Sequence, residues 1–196
     1  FSNPYRYCNT KRNKTDIYSA ENRQIARDVA AETFVLLKNE GNLLPLKKQG
    51  KIALIGPLAD TRNNIAGTWS VAQAPEKYTT IKEAMEKALD GKATLLYAQG
   101  SNIWRDRELQ KNGEQGKSIA WGDEVKMKHE ALQIAKEADV IVCAMGETAD
   151  MSGECASRTN LEMPDVQQEL LAELAKTGKP VVLLNFAGRP TVLSWE

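Results

Sequence analysis

Between Gly146 and Met163 this chain gathers five charged side chains, Glu147, Asp150, Glu154, Arg158 and Glu162. Carboxyl groups in close company can do acid–base work. Burial or a neighbouring charge keeps one protonated, to donate, while another stays ionised. An arginine among them either pairs with a carboxylate and fixes the loop or faces a substrate. The residues alone leave open the blander reading of a solvated acidic loop.

The elements around this stretch give it a place. Val140 to Met145 is an apolar run bounded by Gly146, the pattern of a strand buried inside a parallel sheet. After Met163-Pro164 a helical period begins. The intervening loop is longer than the roughly 2–6 residues usual between strand and helix in α/β units. Open parallel sheets place their ligands in loops at the carboxyl ends of the strands. A long loop bearing carboxylates in that position is the leading functional candidate.

The totals narrow the class. With 196 residues there is room for one domain with a real core, plus an arm. The 26 basic and 26 acidic side chains cancel to a formal net charge of +0, and this balance gives no nucleic-acid footprint and no polybasic membrane patch. No apolar run reaches the ~20 residues of a membrane span, and the first residues lack the apolar core of a signal peptide. Cys8, Cys143 and Cys155 cannot pair without a leftover, so no disulfide framework is expected. With His129 as the only histidine, a histidine-rich metal site or a Ser-His-Asp triad within the chain is not expected.

Taken in order, residues 1–18 read as an arm or linker. Ser19 is a candidate N-cap for a helix to about residue 38, with Ile25, Val29, Ala30, Phe34 and Leu37 on one face. Strands follow at 51–57, 93–98, 140–145 and 181–186, and helices at 80–89, 124–137 and 165–176. Residues 100–122, polar and turn-rich, read as a surface insertion. Repeated strand–helix alternation predicts an α/β fold, a mostly parallel sheet with helices on both faces. The abrupt end after the last strand reads as a fragment of something longer.

The ordered pieces carry a resemblance. ENRQIARDVAAETFVLLKNEGNLLPL (21–46), KIALIGPLAD (51–60), GTWS (67–70), ADVIVCAMGE (138–147), GECASRTNLEMP (153–164) and GKPVVLLNFAGRP (178–190) together resemble the second domain of family 3 glycoside hydrolases, in the branch of bacterial periplasmic β-glucosidases. The resemblance implies a three-layer α/β/α sandwich over 19–196, incomplete at its C-terminus, with 1–18 as the end of an interdomain linker. It implies a preceding (β/α)8 barrel that supplies an aspartate nucleophile and shares a pocket with this domain. A β-glucoside or oligosaccharide substrate, a periplasmic or secreted location, and no cofactor or metal are implied as well.

On the same footing, Glu154 in Glu154-Cys155-Ala156-Ser157-Arg158 corresponds to the family's acid/base. Retaining hydrolysis uses two carboxyl groups about 5–5.5 Å apart across the glycosidic bond, one attacking and the other protonating the leaving oxygen. Glu147 is the rival carboxylate, implied as a substrate-pocket or scaffold residue, and Arg158 either fixes the loop or meets the sugar. Trp69 either corresponds to an aromatic wall of the acceptor site, a suitable surface for the apolar face of a pyranose, or packs its own loop. The family's second aromatic has no counterpart in VAQA (71–74). On this reading the chain alone is inactive. Two other readings stay open, a β-xylosidase or other exo-glycosidase of the same family and a non-catalytic flavodoxin-like binding module. No glycine-rich phosphate loop follows any strand, which argues against the last.

Overall fold

Four apolar runs pair side by side as parallel strands, β1 (Lys51–Ile55), β2 (Thr94–Ala98), β3 (Val140–Gly146) and β4 (Val181–Phe186), in the order β2-β1-β3-β4. The computed structural model describes residues 3–70, 74–113, 116–154 and 156–194. Cys155 and the first three residues of VAQA lie outside these. Ile52 stands opposite Leu95 on one side and Val140 on the other, and Ile141 stands opposite Val181. β1 and β3 are buried on both faces, which is why their sequences are continuous apolar runs rather than alternating ones.

The helices are α1 (Asn13–Asp16), α2 (Ala20–Glu32), α3 (Ile81–Leu89), α4 (Arg107–Asn112), α5 (Glu124–Glu137) and α6 (Asp165–Ala175). Thr80 and Glu83 form a reciprocal capping box at the start of α3, and the Asp123 carboxylate accepts from Lys126 N at the start of α5. Ala131, Ala135, Leu170 and Leu174 of α5 and α6 share one core with Ala53, Ile55, Ile141, Cys143 and Met145 of the sheet. The residues between these, Ile52, Leu54, Val142 and Ala144, are equally buried and point to the opposite face. From β1 the chain moves outward to β2 and then back across to β3. Right-handed crossovers therefore put α3 on one face and α5 and α6 on the other. The reversal of direction makes the carboxyl ends of β1 and β3 a topological switch point.

The chain separates into two compact units, Phe1–Pro45 and Leu46–Glu196. In the first, α2 is capped at Ser19 as expected but stops at Glu32 instead of continuing to residue 38. The Thr33 hydroxyl turns back onto Ala30 O at 2.7 Å. A helix owes most of its stability to packing of its apolar face. No residue of α2 is buried, and the Thr33-Phe34-Val35 run has weak helix propensity. The stretch 100–122 is also more than a surface insertion. Its Ile103 and Ile119 form a small second core with Leu58 and Met151, and the Trp104 ring packs against it.

Candidate functional site

The site grows from the end of β3. Gly146 has φ +126°, and a Cβ there would come within 2.1 Å of Phe186 O, so no other residue could let the strands end this close together. Glu147 N donates to that same carbonyl at 2.7 Å. Gln167 of α6, fully buried, accepts from Gly146 N at 2.8 Å and donates to Gly146 O at 3.0 Å. Strand end and helix are thereby tied into one rigid corner. From this corner the loop departs.

Glu147 points inward. Its carboxylate accepts from Arg158 Nη1 at 2.9 Å on one oxygen and from Arg189 Nε at 3.2 Å on the other. The Glu147 side chain has no exposed surface, so its charge is compensated twice rather than solvated. Arg158 is committed further. Its Nη2 donates to Glu162 O at 3.0 Å, and its guanidinium lies 5.0 Å from the Trp104 ring centre, a cation–π contact. Glu147 and Arg158, both candidate substrate contacts from the sequence, are thus bound to each other.

The loop after β1 meets the loop after β3. The Thr68 hydroxyl shares its one proton between the carbonyls of Ala149 and Ser152, the latter at 3.0 Å. Asn64 Oδ1 accepts from Ala149 N at 2.9 Å. A Cβ at Gly153 would lie 2.6 Å from Thr68 Cγ2 and 3.5 Å from Trp69 Nε1. Trp69 therefore borders the residue just before Glu154, while the residue itself remains 70 % exposed. Glu154 is exposed as well. On the other flank the Arg189 guanidinium donates to Met151 O. The fold brings Trp69 and the Glu154 turn together at the sheet's carboxyl end, with the Glu147–Arg158 pair buried under the same loop.

Sequence reasoning missed Thr68, Gln167 and Arg189. Only Arg189 left a signal, as a charged residue directly after the last strand, at the sheet end where the loop lies. The thiol of Cys143, inside β3, is pushed up to about 12 by burial and is inert as a nucleophile. Among the described residues no three His, Cys, Asp or Glu side chains come together as a metal site.

The chain matches the model of the glycosyl hydrolase family 3 C-terminal domain over residues 34–196. It belongs to glycoside hydrolase family 3. Similar proteins include a periplasmic β-glucosidase of Salmonella typhimurium, 39 % identical across all of this chain and 26 % of that protein, and a β-xylosidase of Formosa agariphila, 29 % identical over 89 % of this chain and 23 % of the relative. Among solved structures, a Listeria innocua β-glucosidase in complex with isofagomine superposes with a TM-score of 0.78 at 28 % identity, covering 98 % of this chain and 24 % of that one. The chain thus spans about a quarter of the length of the relatives it matches.

Proposed function

We propose that this chain is the acid/base-bearing domain of a longer, retaining, exo-acting β-glucosidase. Its partner is a (β/α)8 barrel on the same polypeptide, joined through residues 1–18, and the location is periplasmic or secreted. In the first step a barrel aspartate attacks the anomeric carbon. Glu154 gives its proton to the glycosidic oxygen, and the alcohol leaves. In the second step Glu154, now a carboxylate, takes a proton from water as that water displaces the aspartate. Trp69 walls the acceptor side of the pocket. Glu147, spent on Arg158 and Arg189, and Arg158, spent on Glu147 and Glu162 O, hold the loop rather than the sugar.

One observation carries this reading: at the switch-point loop Glu154 is exposed while both oxygens of Glu147 are taken by arginines. The test is a panel of nitrophenyl glycosides offered to the complete protein that contains this chain, with Glu154→Gln beside it. Turnover of the β-glucoside that collapses in the variant is expected, and no turnover of any glycoside would overturn the reading. The β-xylosidase in Formosa agariphila supports a second reading, exo-acting release of xylose by the same machinery. Preference for the xyloside in that panel would favour it.

A further inference from the structure

We propose that Thr68 is the positioning residue that aims Glu154; the inference rests on the acid/base reading of Glu154 above. The turn Ala149–Met151 is a single turn of 3-10 helix whose own backbone engages Ala149 O through Ser152 N–H and leaves the carbonyls that follow to outside partners. Side chains from the two neighbouring strand-end loops supply them. Arg189 takes the carbonyl of Met151, and the Thr68 hydroxyl shares its one proton between the carbonyl of Ser152 and that of Ala149, which Ser152 N–H also engages. The hold by Thr68 is the one nearer Glu154. Ser152 lies two residues before Glu154, and the residue between them, Gly153, has φ +95°.

Thr68 acts in two ways on that turn. Its hydroxyl fixes the Ser152 carbonyl, and its methyl occupies the space into which a Cβ at Gly153 would project, 2.6 Å away. The peptide leading into Glu154 is therefore trapped between a hydrogen bond and a van der Waals contact, both from one side chain. Thr68 sits on the loop after β1, so the aim of a residue on the β3 loop is set across the switch point. Trp69, the next residue, moves with it, which couples the aromatic wall to the acid/base.

Thr68→Val keeps the methyl contact and removes the hydroxyl. In the complete enzyme it should lower kcat/KM for unactivated alkyl or phenyl glucosides by about 10- to 100-fold, the scale of a misplaced catalytic group. Dinitrophenyl glucoside, whose leaving group needs little protonation, should change by no more than about 2-fold. Thr68→Ser should restore the unactivated substrates. Should the valine variant fail to fold, Thr68→Ala removes the same hydroxyl without branching and reads the same contrast. An equal loss on both substrates, unaltered rates, or a serine variant as slow as the valine one would overturn the inference. In those cases leaving-group dependence in Glu154→Gln would leave the acid/base reading standing. Absence of that dependence in Glu154→Gln would overturn both.

Discussion

Arg158 Nη1 donates to Glu147 Oε1 at 2.9 Å inside the protein, where the Glu147 side chain is wholly removed from solvent. Arg189 closes the other side of the same carboxylate at 3.2 Å. Three elements meet there: the end of β3, the far arm of its loop, and the turn after β4. Removing one partner of a buried pair leaves an uncompensated charge, a cost of about 3–5 kcal/mol. Glu147→Ala should lower the unfolding free energy by that amount, read from the urea midpoint. Adding Arg158→Ala to it should cost much less than the two single losses combined. A loss below about 1 kcal/mol for Glu147→Ala would mean that the pair is worth no more than a surface bridge.

Leaving-group chemistry tests the proposed acid/base role of Glu154 against Glu147. In the complete enzyme Glu154→Gln should slow glycosides with poor leaving groups by about 10²- to 10⁴-fold and spare the first step for dinitrophenyl glycosides. Azide should restore turnover and yield a glycosyl azide, because it attacks the covalent intermediate without a general base. Glu147→Gln should show neither behaviour. If azide rescue appears in Glu147→Gln instead, the acid/base assignment moves to Glu147 and the family membership is untouched.

The 196-residue chain by itself should not hydrolyse glycosides. Retaining chemistry needs a nucleophile opposite the acid, and the proposed source of that aspartate is a barrel outside this sequence. Release of nitrophenol by the purified chain, above a Glu154→Ala control, would refute the division of labour.

Alkaline pH should loosen the sheet. Burial pushes the Cys143 thiol from 9.0 up to about 12, and desolvation, with a smaller contribution from Asp60, pushes the Tyr97 phenol from 10.0 up to about 12. In the unfolded chain each group loses its proton near its ordinary value, so above about pH 9 the unfolded state binds fewer protons than the folded one. Stability then falls as pH rises. The contribution is intact below the unfolded values and is lost by the time pH passes the folded ones. Urea midpoints should decline between about pH 9 and pH 12, by up to ~1.4 kcal/mol per pH unit for Cys143 and by less for Tyr97, which solvent partly screens. Cys143→Ala should flatten the first part of that decline, and an unchanged slope would remove Cys143 as its cause.

Much of the fold was legible because it rests on local, periodic signals. Val140 to Met145 and Ile52 to Ile55 are apolar at every position, as strands buried on both faces must be, and the helix read over 124–137 coincides with α5. The helix from Ser19 was misread at its far end. An apolar stripe at helical spacing states only what a helix would bury, and here α2 buries none of its residues. Residues 100–122 were misread for the converse reason. Their polar, turn-rich composition hid Ile103 and Ile119, whose burial depends on Leu58 and Met151 arriving from distant parts of the chain.

The candidate site divides along the same line. Composition and order placed a carboxylate-bearing loop after the central strand, because residue type and position relative to a strand end are properties of the sequence, and the family resemblance singled out Glu154, Glu147, Arg158 and Trp69. Tertiary structure decided what each is joined to. The Glu147–Arg158 pair closes over 11 residues of chain, the Arg189–Glu147 contact over 42, and the Thr68–Ser152 bond over 84. A hydrogen bond acts over about 3 Å, and separations of that length along the chain become separations of that length in space only after β1, β3 and β4 have paired.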